Sequence, residues 1–291
     1  MPQFEEVIAS QGFDANSAPR WQMVPLGEYR IVKLTDSSGL TVSTTNSGIV
    51  TVMDLSSVAS SVSSLFARFL PASSPPSGTK YLILYGAARG SAFVEAKRGG
   101  TLVVRLEVGV KQKKNLRVAF NFLRDSAGHR TSRVGASVTT WIDEMNRIFT
   151  PQANVVIKQH SLREVRVGRN LGRVVQWTKD IAGANPAQHE WPEVVALRDG
   201  TADFNMFYVW AYEQDATPLV DDANAGTLDG NCLLEDDVGG RDSETMAHET
   251  GHHLGCLDYY GDGDKHRLMY GYKAGRSDTR IPKNDVNTMN P

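Results

Sequence analysis

The sequence predicts an α+β chain of two domains, a β-rich domain over residues 1–111 and an α/β domain over residues 112–291. Three observations lead to this prediction. The chain has 291 residues, of which 41% are hydrophobic, and this length favours two domains over one. Strand patterns follow one another up to about residue 110. After the charged segment KQKKN at 111–115, strand patterns alternate with helical patterns instead.

The first domain is predicted to be an antiparallel, sandwich-like arrangement of short strands. Six segments are rich in β-branched and aromatic residues, and the turn sequences DSSG, NSG and KRGG separate some of them. They are GEYRIVKL, LTVSTT, GIVTVM, KYLILYG, SAFVEAK and TLVVRLEVGV. One amphipathic helix is expected after Asp54, a candidate N-cap, because apolar residues recur at helical spacing from Leu55 to Phe69. Its other face is serine-rich rather than basic, so we expect it to pack on the sheet.

The second domain is predicted to contain a mixed sheet and two main helices. Strands are expected at residues 116–123, 153–167, 202–212 and 230–237. A first helix is expected over 133–149, where apolar side chains form one face. That face comprises Val134, Val138, Trp141, Ile142, Met145, Ile148 and Phe149. A second helix is expected to begin at Asp242 or Ser243, and residues 168–191 are expected to form a polar surface insertion.

Charge and hydropathy exclude several classes of partner. The 31 basic and 33 acidic residues give a formal net charge of -2, so no global field attracts nucleic acid or anionic lipid. The sequence contains no apolar run long enough to predict a membrane span, and the start MPQFEEVIASQGFD lacks the regions of a signal peptide. Cys232 and Cys256 are too few for a disulfide framework; one bridge or two free thiols both fit the sequence.

The strongest functional signal is HETGHHLGCLD, which begins at His248. Residues i and i+4 share one face of a helix, so His248 and His252 can bind the same cation. Glu249 lies beside that face, where its carboxylate can take a proton from a water molecule activated by the metal. Gly255 stands where the helix would end with a positive φ, and a turn there can bring Asp258 to the metal. Three protein ligands and one open position are typical of catalytic zinc.

This pattern resembles the metzincin zinc peptidases, which carry H-E-x-x-H-x-x-G-x-x-(H or D) followed by a turn that contains methionine. The aspartate in third place is similar to the small snapalysin-like enzymes, and the methionine is Met269 in RLMYGY. The resemblance implies a zincin-like catalytic domain over 112–291, one catalytic Zn²⁺, peptide bond hydrolysis, and Met269 beneath the metal. It also implies that IPKNDVNTMN forms a short closing helix. By the same resemblance, an extended protein or peptide substrate adds as an antiparallel strand beside GNCLLEDD.

The tyrosines after the turn methionine depart from the family's spacing. In the family a tyrosine commonly follows that methionine by two residues and helps to stabilise the oxyanion. Here Gly271 occupies that position, and Tyr270 and Tyr272 stand on either side of it. Both tyrosines are therefore candidates for contact with the oxyanion or the substrate.

Other ligands remain open from the sequence alone. In the loop DYYGDGDKH, the residues Asp262, Asp264 and His266 are alternatives to Asp258 as the third ligand. The same loop could hold Ca²⁺, although it lacks the alternating ligands and terminal glutamate of an EF-hand. Cys256 could complete a closed, structural zinc site.

Two other functions also remain open. A structural metal would make the chain a binding or adhesion module. Alternatively, the peptidase is an effector or toxin delivered without a signal peptide, and the first domain binds a docking partner, targets the enzyme or inhibits it. We expect an extracellular or delivered location by a route without a classical signal peptide; a cytoplasmic location is the alternative.

Overall fold

A computed structural model describes residues 1–57, 77–176, 190–213, 225–236 and 242–291. The helix expected after Asp54 lies mostly outside these residues; only the short 3-10 helix Leu55–Ser57 is described there. The described chain is a mixed α/β protein, mostly sheet with few helices. It divides into two compact units, each built from separate stretches of chain.

Unit 1 comprises Met1–Lys114, Thr150–Asn154 and Arg280–Pro291, and unit 2 comprises Asn115–Phe149 and Val155–Thr279. The sequence placed the end of the chain in the second domain, whereas the contacts assign it to unit 1. The division into domains at 111/112 stays a prediction.

The described strands of unit 1 form two sheets. These strands are β1 (Gln3–Glu6), β2 (Phe13–Asp14), β3 (Trp21–Pro25), β4 (Tyr29–Thr35), β5 (Thr41–Thr44), β6 (Val50–Asp54), β7 (Lys80–Gly86), β8 (Gly90–Arg98) and β9 (Thr101–Lys111). One sheet has the order β1-β4-β7-β6 and is antiparallel. The other has the order β2-β3-β9-β8-β5 and is antiparallel except between β3 and β9.

A single hydrophobic core contains side chains from both sheets of unit 1. Leu34 and Leu84 come from the first sheet, and Val24, Val94 and Val108 come from the second. Two sheets that share a core in this way form a sandwich-like arrangement. The parallel pairing of β3 with β9 corrects the expectation of a purely antiparallel domain.

The first three strands were absent from the sequence prediction. All residues of β3 are buried, so its sequence WQMVP lacks the alternation of polar and apolar residues that marks a half-buried strand. β1 and β2 are short, and β1 is largely polar in sequence. β1 pairs with β4 and β3 pairs with β9, both distant in sequence, and local patterns cannot reveal such pairing.

Unit 2 is organised around a five-stranded sheet. Its elements are β10 (Lys114–Arg124), α1 (Val138–Ala153), β11 (Val155–Arg166), β12 (Val175–Gln176), α2 (Trp191–Val195), β13 (Phe204–Val209), β14 (Tyr212–Glu213), β15 (Ala225–Leu228), β16 (Asn231–Glu235) and α3 (Asp242–His253). The first residue of β10 and the last four residues of α1 are counted with unit 1. The sheet order is β11-β10-β13-β16-β15. β10, β13 and β16 are parallel, and β15 is antiparallel to β16.

Helix α1 begins later than the sequence predicts. Gly135–Ser137 forms a 3-10 turn before it, and Val134 is 58% exposed rather than part of the apolar face. Trp141, Met145 and Phe149 are buried, as the helical spacing predicts.

Strand β15 was not predicted, and its presence corrects the proposed substrate position. β16 is paired with β13 on one side and with β15 on the other, so it has no free edge where a substrate strand could add. Asp229 and Gly230 connect β15 to β16, and both have positive φ, 51° and 73°. An Asp-Gly pair in this conformation is typical of a tight two-residue hairpin.

The segment IPKNDVNTMN forms the expected helix, α4 (Lys283–Met289), but the helix belongs to unit 1. Val286 and Met289 are fully buried. The Lys283 ammonium lies 2.6 Å from a carboxylate oxygen of Glu107 in β9. Among the described residues, no helix is sufficiently long and apolar to cross a membrane.

Candidate metal centre

Helix α3 carries the two histidines and is anchored at both ends. At its start, the Arg133 guanidinium lies 2.6 Å from the Asp242 carboxylate, within a first turn that is favourable for negative charge. At its end, Gly255 adopts a φ of 95°, and the backbone amide of Cys256 donates to the carbonyl of Gly251 at 3.0 Å. Glycine adopts this conformation without a steric penalty, so the chain can turn back toward the helix.

Three potential ligand atoms converge on the side of this helix that carries His248 and His252. The Nε2 atoms of His248 and His252 are 3.2 Å apart, and Asp258 Oδ1 lies 3.2 Å and 3.4 Å from them. One ligand atom from each residue falls within 4.8 Å of the others. Asp258 Oδ1 is buried, and its described polar neighbours are these two imidazole nitrogens. Two imidazole nitrogens and one carboxylate oxygen fit the donor set of zinc.

The outer nitrogens of both imidazoles face backbone carbonyls. His248 Nδ1 lies 3.0 Å from Leu268 O, and His252 Nδ1 lies 3.0 Å from Cys256 O. A proton on each Nδ1 can donate to these carbonyls, which leaves the Nε2 lone pairs free for a cation. At His252 the arrangement therefore favours the tautomer that metal binding requires. At His248 the Arg276 guanidinium, a donor 2.9 Å from Nδ1, opposes that tautomer.

The charges in the cluster hold Asp258 ionised in the metal-free protein. Burial opposes ionisation of Asp258, but hydrogen bonds and charge interactions with the two histidines lower its pKa well below the ordinary value. Burial also opposes protonation of His252, yet the Asp258 hydrogen bond and the charges of Glu249 and Asp258 raise the pKa of His252 to about 8. A metal ion that binds His252 below that pH must displace its proton.

Glu249 lies next to the cluster without belonging to it. Its side chain is buried, with 5% of the residue exposed, and it borders the same cavity as the three ligands. The hydroxyl of Thr227 in β15 donates to Glu249 Oε2 at 2.6 Å. Glu249 is thus a buried carboxylate at the edge of the cavity that the three candidate ligands border.

The cluster opens into a cavity of about 990 Å³. Strand β15, helix α3 and the loop after it form its walls. Three large hydrophobic side chains border this cavity and are exposed, those of Leu257, Tyr260 and Tyr272.

The methionine turn is packed directly against the loop that carries Asp258. Met269 is fully buried, and its carbonyl accepts a hydrogen bond from the Tyr259 amide at 2.8 Å. The Gly271 amide donates back to the Tyr259 carbonyl at 3.0 Å. The two tyrosines of the turn have different environments: Tyr272 borders the cavity and is 61% exposed, whereas Tyr270 is buried with 4% exposed.

The alternative ligands lie in other environments. Asp262 pairs with Lys265, and Asp264 pairs with Arg267. Among the described residues, the grouped metal-binding donors are His248, His252 and Asp258, and no calcium-like group accompanies them. Cys232 and Cys256 are both buried and are not joined by a disulfide, so the alternative of a bridge is wrong.

Three further residues of the site were missed by the sequence analysis. Tyr260 donates its hydroxyl to Asp258 Oδ2 at 3.0 Å, and Thr227 contacts Glu249 as described. The Arg276 guanidinium lies 2.9 Å from His248 Nδ1 and donates to Tyr270 O at 2.8 Å. Tyr260 could have been found from its place two residues after Asp258, but Thr227 and Arg276 had no motif to mark them.

No family model matches the chain, and no curated protein sequence matches it significantly. Among solved structures, archaemetzincin from Methanopyrus kandleri aligns at a TM-score of 0.39 and 10% identity, over 61% of this chain and 93% of that chain. A zinc-dependent peptidase from Methanocorpusculum labreanum aligns at 0.35 and 11% identity, over 60% of this chain and 100% of its own.

The surface layer protein SbsC, domains 1–6, aligns at a TM-score of 0.25 and 14% identity, over 40% of this chain and 13% of that chain. The chain spans between 13% and 57% of the length of the S-layer chains that it matches. At these TM-scores, none of the alignments carries an argument about function.

Proposed function

We propose that this protein is a zinc-dependent endopeptidase of the metzincin type, with an aspartate as third ligand, as in the snapalysin-like subgroup. One observation carries the proposal: ligand atoms of His248, His252 and Asp258 converge within 4.8 Å, in a cavity that Glu249 also borders. Three protein donors leave one position open on a tetrahedral zinc ion, which is typical of catalytic sites.

When bound, zinc would supply a Lewis acid that polarises the scissile carbonyl and makes the attacking water more acidic. Glu249 would accept a proton from that water and later pass it to the leaving amine. Tyr260 would hold Asp258 Oδ2, so that Oδ1 stays directed at the two histidines.

A protein or peptide substrate would bind in extended form along the outer edge of β15. This position replaces the one inferred from the sequence, because β15 covers β16 and itself borders the cavity. Backbone pairing at a strand edge accepts many sequences, while side-chain pockets select among them. Leu257 and Tyr272, which border the cavity, would contact substrate side chains.

The other functions are weaker but distinguishable proposals. A structural zinc site would need a fourth protein ligand, and Cys256 is not part of the donor group in the described residues. The protein could instead be delivered as an effector or toxin, with a docking partner for the first domain. That proposal assumes the same chemistry at the site and differs only in where the enzyme acts. We expect the peptidase to act outside the cell that produces it.

The deciding experiment combines zinc analysis with cleavage of casein and a peptide library. We expect zinc-dependent cleavage by the wild-type protein and a loss of about 10²-fold or more in Glu249→Gln, because general-base catalysis contributes on that order. Zinc content should be unchanged in this variant. Glu164→Gln, at a glutamate whose side chain is 61% exposed, serves as the matched control. Bound zinc without cleavage would favour the binding module instead.

A further inference from the structure

We propose that Thr227 is the residue that positions Glu249 for proton transfer, a proposal that rests on the peptidase function proposed above. The Thr227 hydroxyl lies 2.6 Å from Glu249 Oε2. The two residues belong to different elements: Thr227 to the edge strand β15, and Glu249 to helix α3. Their contact links the strand beside the cavity to the group that would act as the base.

The direction of this hydrogen bond follows from the chemistry of the two groups. An ionised carboxylate only accepts hydrogen bonds, so the hydroxyl proton of Thr227 must point to Glu249. In the described part of the chain, Thr227 supplies the side-chain hydrogen bond that this carboxylate receives. Oε2 already accepts this bond, so Oε1 is the oxygen that would take a proton from water.

Thr227 is itself held in a defined position. It stands opposite Cys232 in the antiparallel pair of β15 and β16, and the hairpin at Asp229 and Gly230 sets the register of that pair. A β-branched side chain has few rotamers, so the hydroxyl is fixed once the backbone is fixed. The donor is consequently more rigid than a water molecule in the same place would be.

The carboxylate needs such a fixed donor because its last torsion is otherwise soft. Terminal sp³–sp² torsions have broad minima, so a buried glutamate without a partner on Oε2 can rotate. Rotation moves Oε1 away from the attacking water, and misplacement by about 1 Å can cost about 10²-fold in rate. Thr227 would therefore affect the chemical step more than substrate binding.

The test compares Thr227→Val, which keeps the shape but removes the hydroxyl, with Thr227→Ser, which keeps the hydroxyl. We expect kcat to fall about 10- to 100-fold in Thr227→Val, with KM within about twofold and zinc content unchanged. Thr227→Ser should recover most of the loss. Thr41→Val is the control, since Thr41 stands in strand β5 of unit 1 and donates its hydroxyl to Lys97 O at 3.3 Å.

A second measurement does not depend on peptidase activity. Acetohydroxamic acid binds a metal through its oxygens and must give up or share its proton with a neighbouring base. Its affinity for the cobalt-loaded protein can be read from the visible spectrum. We expect weaker binding in Thr227→Val, by about tenfold, and near wild-type binding in Thr227→Ser.

The outcomes separate this proposal from the proposed function. If the wild-type protein cleaved no substrate, the proposed peptidase function would be contradicted. The hydroxamate measurement would still test the role of Thr227. Wild-type kcat and hydroxamate affinity in Thr227→Val would overturn the positioning role and leave the peptidase intact. A Thr227→Ser variant as impaired as Thr227→Val would overturn it as well.

Discussion

The two oxygens of Asp258 have separate partners. Oδ1 faces the two histidines, and Oδ2 accepts the hydroxyl of Tyr260 at 3.0 Å. The ring of Tyr260 lies against Gly271, where an added Cβ would stand 2.5 Å from Tyr260 Cε1. The missing side chain at Gly271 thus makes room for Tyr260.

Tyr260→Phe should weaken zinc binding. Without the hydroxyl, Asp258 is free to rotate, and loss of a group that orients a ligand typically costs about 10- to 100-fold in metal affinity or activity. Competition with a chromogenic chelator measures the affinity directly.

Two further variants control this prediction. Tyr272→Phe should leave zinc affinity unchanged, because no hydrogen bond joins the Tyr272 hydroxyl to a ligand in the described residues. Gly271→Ala should weaken binding in the same direction as Tyr260→Phe, since the methyl group displaces the Tyr260 ring. Equal zinc affinity in all of these variants would show that Tyr260 does not orient the aspartate.

At the scale of elements, the end of α3 depends on Gly255. Its φ of 95° is a conformation that side chains with a Cβ rarely adopt. Gly255→Ala should lower the free energy of unfolding by about 1–2 kcal/mol and also weaken zinc binding, because the strain reaches the turn before Asp258. Urea unfolding and chelator competition test the two effects.

Gly263→Ala is the matched control for Gly255→Ala. Its added Cβ would meet no atom within 4 Å, and its φ is not positive. A loss in Gly263→Ala as large as that in Gly255→Ala would argue against backbone strain as the cause.

The loop after β10 depends on a buried carboxylate. Asp125 accepts hydrogen bonds from the backbone amides of Ala127, His129 and Leu171 at 2.9–3.0 Å and lies 2.8 Å from His129 Nδ1. Burial opposes its ionisation, but the bonds to the His129 ring and to the Leu171 and His129 amides outweigh that effect and lower the pKa of Asp125.

A lowered folded-state pKa stabilises the protein above the unfolded-state pKa, about 3.9 for aspartate, and the contribution is lost as the pH falls. Asp125→Asn should therefore cost about 1–3 kcal/mol of unfolding free energy at pH 7 and less below about pH 4. Denaturant unfolding at several pH values provides the measurement.

Asp262→Asn is the comparison for Asp125→Asn, since the Asp262 side chain is 94% exposed and pairs only with Lys265 among the described residues. Exposed ion pairs contribute little to stability. A difference between wild type and Asp125→Asn that grew as the pH fell would contradict the argument.

At the scale of the whole molecule, the end of the chain belongs to unit 1 rather than unit 2. Met289 is fully buried there. Met289→Ala should lower the stability of unit 1 by about 2–5 kcal/mol, because large-to-small changes in a core leave a cavity. Hydrogen exchange should show the loss of protection in strands β1–β9.

Thr288→Ala, at an exposed neighbour, controls for a general effect of substitution in α4. If Met289→Ala accelerated amide hydrogen exchange only in β10–β16, the end of the chain would stabilise unit 2 rather than unit 1.

Much of this architecture could be predicted from local patterns. The strands β4 to β11 and the helix that carries His248 follow from spacing and turn residues alone. β3 and β15 could not be recognised in the same way, because β3 is buried throughout and β15 has only four residues. The Asp-Gly pair before β16 is nevertheless a local signal for a hairpin, and it could have predicted β15.

The sequence by itself determined which residues form the candidate metal centre. His248 and His252 are one helical turn apart, and Gly255 permits the turn that precedes Asp258, so both relations are local. Only the tertiary structure decided which groups surround them, such as Thr227 beside Glu249 and Arg276 beside His248. Those contacts join residues far apart in the chain, and their formation depends on how strands and loops pack, which no short sequence pattern encodes.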